Sequence, residues 1–222
     1  MDVDGVNALD ALNTSEPIVP SEVRVLMATI RQELDARTEA GRVLASLRLG
    51  IAELESLLDG AAEREEDLQR CLARHPTLFG VEYARVDPKF RLGGDFEMDF
   101  ALLHSSGLVD LVEIEASTHP VFNRRGDPSA ALVHAEQQVL DWLAWLDQYG
   151  ELTRRDLPEV QRPVGYVVIG RDERLSEQSR RKLTQRSAVM GASLQVMTWD
   201  GLLARAKNLL RHLEGLANAK SG

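Results

Sequence analysis

The chain has 222 residues, a formal net charge of -9 and 44% apolar residues, the balance of an ordinary globular protein with room for one sizeable domain and an appendage. The charge argues against indiscriminate nucleic-acid binding, which needs Lys and Arg to neutralise phosphates. The single cysteine, Cys71, excludes intrachain disulfides and thiolate zinc clusters and reads as a buried helix residue. No run of eighteen apolar residues occurs, and the opening MDVDGVNALDALNTSEP lacks the basic start and apolar stretch of a secretory signal, so a cytoplasmic protein without a membrane segment is expected.

Residues 1–20 are acidic, aperiodic and end in EPIVP, which predicts a flexible leader. From Ser21 onwards Val23, Leu26, Ile30 and Leu34 share a helical face, and Leu44, Leu47, Ile51, Leu54 and Leu58 then alternate spacings of three and four. The second set is a heptad seam. Glu33 and Arg37 break the register between the two sets, so 21–60 is a helical segment that is either a coiled coil joining copies of the chain or a helical hairpin docked on the adjoining domain. Gly60, Ala61 and Ala62 mark the junction to that domain, which spans 61–216 and is trailed by a short tail over 217–222.

Within the domain EREEDLQRCLARHP gives a helix stopped at His75-Pro76, and the segments near 82–92, 96–104 and 108–116 read as strands separated by Gly93-Gly94 and Ser106-Gly107. SAALVHAEQQVLDWLAWLDQYG is a helix ending at Gly150, GYVVIG a short buried strand, SEQSRRKLTQRSAVMG a helix closed by Gly191, and SLQVMTW a last strand before a helix from Asp200. This order predicts an α/β domain whose mixed sheet is flanked by helices. The acidity lies in the first half: residues 1–119 carry a net -12 and residues 120–222 a net +3. Between Arg174 and Arg211 eight Lys or Arg face only Glu177 and Asp200, a run that suits either a surface along a phosphate backbone or a solvated helix face.

Alternation along the third strand puts Val109, Leu111, Glu113 and Glu115 on one side and Asp110, Val112, Ile114 and Ala116 on the other. On the strand before it, Met98, Phe100 and Leu102 fill one face and Glu97, Asp99, Ala101 and Leu103 the other. A tight turn at Ser106-Gly107 makes the two strands neighbours, so Asp99 can approach Glu113. Three like charges this close are driven towards protonation unless a cation binds between them, and oxygen ligands without His or Cys favour Mg2+ or Mn2+. Spacing alone also fits a solvent-exposed strand end.

These residues resemble a family. DFALL followed by LVDLVEIEAS is similar to the D-(X)n-E-X-K core of the PD-(D/E)XK nucleases. More closely, the chain resembles the Shedu anti-phage defence nucleases over HPTLFG, MDFALL, LVDLVEIEAS, HPVFNRRGDPSAALVHAEQQVLDWLAWL, VVIGR and LQVMTWDGLLARA, about 75–207. The resemblance implies a restriction-endonuclease-like fold, DNA as substrate, hydrolysis dependent on a divalent metal, a part in bacterial defence against phage, and assembly into a homo-oligomer. It also implies that Asp99 is a metal-binding aspartate, that Glu113 is the glutamate of E-X-K, and that Gln138 is the glutamine of the helix after the active-site strands, able to position a ligand or water.

Glu115 departs from the pattern, since it stands where the common motif has lysine. There it could act on the attacking water or join Asp99 and Glu113 as a metal ligand. The missing positive charge could come from Arg124 and Arg125 in FNRRGDPS, or from Lys89 on the first strand, although such residues also occur as solvated loop and strand-edge positions. His134, four positions before Gln138, could line the cleft or be structural, His119 has the same two readings, and Trp142 reads as core. Two functions fit these residues: a Mg2+-dependent DNA endonuclease, or a nuclease fold that binds DNA or protein without hydrolysis. An assembly protein built on the heptads is a third reading, and a glycosidase ranks last, since only Trp142, Trp145 and Trp199 could serve as sugar platforms.

Overall fold

The computed structural model describes residues 21–60, 64–92, 96–153, 163–191 and 193–219. The expected leader over 1–20, the Ala61-Ala62 part of the junction, the Gly93-Gly94 turn and the last residues of the tail lie outside the described residues. The chain divides into two units, 1–42 and 43–222. The described part of the first is the beginning of helix α1 (Ser21–Asp59), on which Val25, Met27, Ile30 and Leu34 are exposed.

The second unit holds the rest of α1, then α2 (Glu65–Arg74), β1 (Tyr83–Leu92), β2 (Phe96–His104), β3 (Val109–Ile114), α3 (Ala130–Thr153), β4 (Val164–Val168), α4 (Glu177–Met190), β5 (Leu194–Met197) and α5 (Trp199–Ala219). The strands form one sheet in the order β1-β2-β3-β4-β5. β1, β2 and β3 are antiparallel neighbours, as short turns require, whereas β3, β4 and β5 run parallel and are joined through α3 and α4. The α/β mixed sheet flanked by helices is the architecture that the residue pattern predicts. Among the described residues no helix is long and apolar enough to cross a membrane.

Two apolar layers cover the sheet. On one face Phe100, Leu102, Val112, Ile114 and Val168 pack against α1, α2 and α5. On the other Ala101, Leu103, Val109, Leu111 and Val167 pack against α3 and α4. The heptad seam belongs to the first layer: Leu47, Ile51, Leu54 and Leu58 are buried in it, so the second half of α1 packs with the domain as one helix rather than as half of a hairpin. Cys71 is buried there too, and burial pushes its thiol up to about 12, as suits an inert core residue. α3 runs through Gly150 to Thr153 instead of stopping at the glycine, because one interior glycine costs only about 1 kcal/mol.

At the outer end of β3 the buried Asp110 accepts hydrogen bonds from Tyr83 Oη (2.9 Å) and from His104 Nε2 (2.9 Å). In the opposite layer Arg186 grips the buried Glu136 of α3 with two guanidinium nitrogens, tying α4 to α3. Gly165 on β4 lets α3 lie close, since a Cβ there would meet Val139 Cγ1 at 2.1 Å.

Because Leu54 is fully buried, Leu54→Ala is expected to lower the unfolding free energy by about 2–5 kcal/mol. Leu49→Ala, on the exposed side of the same helix, is expected to change it by less than about 0.5 kcal/mol. Urea denaturation of both variants checks the assignment.

Candidate active site

β2 and β3 are paired from Leu103↔Val109 to Phe100↔Val112 and then separate. The next residues, Asp99 and Glu113, flank the opening. There the Ile114 amide donates to Asp99 Oδ2 (3.0 Å), so a side-chain carboxylate satisfies a buried donor that β2 no longer reaches. β3 meanwhile continues beside β4, with Ile114 opposite Val168 and the Glu115 amide donating to Val168 O (2.9 Å).

The β1–β2 ladder carries on past the opening, flanking Lys89 and Asp99 with the pairs Pro88↔Phe100 and Phe90↔Met98. Lys89 has a φ of 51°, the one positive φ among the described non-glycine residues. A side chain in that conformation costs roughly 1–2 kcal/mol. The twist exchanges faces: Phe100 and Leu102 line the first apolar layer while Phe90 and Met98 join the second. This corrects the expectation from strict alternation that Met98 shares a face with Phe100 and Leu102. Asp99 sits where the faces cross.

Asp99 and Glu113 are in contact here, and Glu65 and Glu115 are near enough to influence their charge. Asp99 Oδ1 accepts from Lys89 Nζ (3.0 Å) and from Gln69 Nε2 (2.5 Å) of α2. Glu113, 9% exposed, hydrogen-bonds to Asp99, and its carboxyl is pushed up to about 9, first by burial and then by the charges of Asp99, Glu115 and Glu65. Glu65, in the first turn of α2, is raised by burial and then by Asp99 and Glu115. For Lys89, burial works downwards, but the hydrogen bond and charge of Asp99, with Glu97 and Glu113, hold its ammonium above the ordinary lysine value.

Glu115 lies one residue beyond β3. Its main chain is fixed on both sides, by Val168 O and by the indole Nε1 of Trp199, which donates to Glu115 O (2.8 Å). Its carboxylate, 12% exposed, accepts from His119 Nδ1 (2.8 Å). The turn carrying His119 sits against Gly170, whose φ of 68° suits glycine and where a Cβ would meet His119 O at 2.8 Å. Ser117 Oγ, buried under this turn, has no hydrogen-bond partner among the described residues.

The other residues expected at the site make no hydrogen bond to Asp99 or Glu115. Gln138 is half-buried on α3, and none of the hydrogen bonds made by Asp99 or Glu115 reaches it. His134 is exposed, and Trp142 is core. Arg124 and Arg125 are exposed in a loop closed by Asn123, whose Oδ1 accepts from the Arg125 and Asp127 amides. Of the candidate cations, only Lys89 is brought to the carboxylates. The basic run is divided: α4 covers one sheet face and α5 the other, Arg186 is tied to Glu136, Lys207 to Glu55, and Arg205 lies over the Tyr166 ring. Sequence reasoning missed Glu65 and Gln69, although their spacing of four on one helix sets both on the same face.

The donor set suits a hard cation, since oxygen ligands predominate and Asp99 and Glu113, once both are ionised, would carry like charge that a cation relieves. As arranged, no group of three His, Cys, Asp or Glu side chains among the described residues could hold a metal ion. His119 engages Glu115, and Lys89 and Gln69 occupy Asp99 Oδ1. Two carboxyls, Asp99 and Glu113, are thus in direct contact, and no third His, Cys, Asp or Glu among the described residues completes a group that could hold a metal ion.

Glu113 gives a pH signature. An acid whose folded value is about 9 holds its proton between about pH 4.5 and 9, where the unfolded chain has lost it, so the folded state loses stability as pH rises through that window. In chelator, Glu113→Gln is expected to remove this slope and to be progressively more stable than the parent from pH 5 to 9. Thermal denaturation across that range checks it, and parallel pH profiles for the two proteins would refute the burial of an ionisable pair.

The model of the Shedu protein SduA, C-terminal, matches residues 62–203. No curated protein matches the chain. The family match spans more than half of the chain, from just before α2 into α5, and takes in every residue of the carboxylate cluster. The chain belongs to the Shedu family.

Proposed function

We propose that residues 43–222 form a divalent-cation-dependent nuclease that hydrolyses phosphodiester bonds in DNA. The Shedu family is implicated in anti-phage defence, and we place this activity in that role. One observation carries the reading: Asp99 and Glu113 form a buried, hydrogen-bonded carboxyl pair where the β2–β3 ladder ends, and the charges of Glu65 and Glu115 add to burial in holding the Glu113 proton. Such a pair is unfavourable for folding and gains its use when a cation binds.

Asp99 and Glu113 would hold the ion, with Glu65 and Glu115 adding negative charge nearby. When bound, Mg2+ or Mn2+ would neutralise charge on the phosphodiester and make water more acidic. Glu113 would give up its proton as the ion arrives. In this reading Glu115, fixed through its main chain and hydrogen-bonded to the half-exposed His119, would take a proton from water and pass it to solvent. Gln69 and the Ile114 amide keep Asp99 oriented.

The second reading, binding without hydrolysis, is favoured by a specific feature: Glu115 stands where the nuclease motif has lysine, which adds negative charge where an anionic substrate must come. Supercoiled plasmid incubated in Mg2+ or Mn2+ separates the two. The nuclease reading expects cleavage that chelator stops and that Glu113→Ala lowers by at least about 100-fold, the scale of removing one preorganised electrostatic partner. Absence of cleavage by the parent protein under both ions would leave the binding reading.

A further inference from the structure

We propose that Lys89 is the phosphate-contacting cation of this site, leaving Asp99 to meet the scissile strand of DNA; this rests on the carboxylates being a phosphodiester site. A DNA phosphate brought to Asp99, Glu113, Glu115 and Glu65 is repelled by each ionised carboxylate, so positive charge from the protein has to stand beside them. Among the basic residues considered for that part, Lys89 is the one held against the cluster, at 3.0 Å from Asp99 Oδ1. Arg124 and Arg125 stay in their exposed loop, and the α4 and α5 cations are divided over the two sheet faces.

Three features separate this from an ordinary neutralising contact. The Lys89 side chain is 52% exposed while Asp99 is 8% exposed, so the ammonium reaches both the buried carboxylate and solvent. Asp99 Oδ1 has a second donor, Gln69 Nε2, and Oδ2 has the Ile114 amide, so Lys89 can turn to a phosphate without leaving either oxygen unpaired. The backbone at Lys89 is left-handed, a conformation that glycine adopts freely, yet a long charged side chain stands there directly across from Asp99. Strain of this kind persists where a side chain is needed at that spot.

The test uses the full chain as parent, Lys89→Gly and Lys89→Arg. Lys89→Gly relieves the left-handed backbone strain but also removes the partner of the buried Asp99, so the two effects offset and its thermal midpoint is expected close to the parent value. Affinity for a fluorescein-labelled DNA duplex is measured in Ca2+ across salt concentrations, and cleavage of linear duplex in saturating Mg2+. We expect Lys89→Gly to flatten the slope of log affinity against log salt by about 0.9, one phosphate contact, and Lys89→Arg to keep the parent slope. Cleavage is expected to fall at least about 100-fold in Lys89→Gly and to be largely retained in Lys89→Arg. Equal slopes for parent and Lys89→Gly would overturn the proposal and leave Lys89 as a neutralising partner of Asp99. A parent that binds the duplex but cleaves none removes the nuclease reading, and the slopes then decide Lys89 alone. A parent that does not bind the duplex overturns both.

Discussion

A main-chain amide at a strand end needs an acceptor, and for Ile114 that acceptor is the Asp99 carboxylate. Around this bond β2 and β3 can part without leaving a buried donor unsatisfied, and the parting makes room for Glu113. The same carboxylate fixes Lys89 from β1 and Gln69 from α2, so three strands and a helix meet on one side chain. Removing it would uncover a buried amide and an ammonium together. Neither is lost so readily at a surface carboxylate.

The electrostatics follow from the geometry. Water is excluded from Glu113, and its neighbours are acidic, so its proton stays on at neutral pH. A domain that sought only stability would place an apolar residue there. Keeping an acid at that position makes sense if a cation exchanges with the proton, and the main-chain clamps on Glu115 from β4 and Trp199 hold a further carboxylate next to it. Rigid strands supply the placement, while Lys89 and His119, both partly solvent-exposed, cap the carboxylates of Asp99 and Glu115 from the solvent side.

Much of this was legible in the residues. Turn residues and alternation located the five strands, because β1 to β3 are short antiparallel neighbours and β4 is a continuous apolar run. Asp99 and Glu113 could be brought together by counting from the Ser106-Gly107 turn. Alternation failed at Met98, where the left-handed backbone of Lys89 rotates the hairpin, and no residue type there announces such a turn. The helix contribution was hidden for another reason: Gln69 reaches Asp99 only through the packing of α2 on the sheet, a contact across thirty residues of sequence that periodicity does not encode. The heptad seam was seen, but the choice between its two partners was not, since leucines spaced three and four apart suit a neighbouring chain and the adjoining domain equally well.

The central claim is that Asp99 and Glu113 exchange a shared proton for a divalent cation. Titrating the full chain with Mn2+ at pH 7 by calorimetry, in buffers of different ionisation enthalpy, tests it most directly. The account predicts binding of one ion per chain with release of about one proton, and loss of that release in Glu113→Gln. Binding without proton release, or no binding, would contradict it.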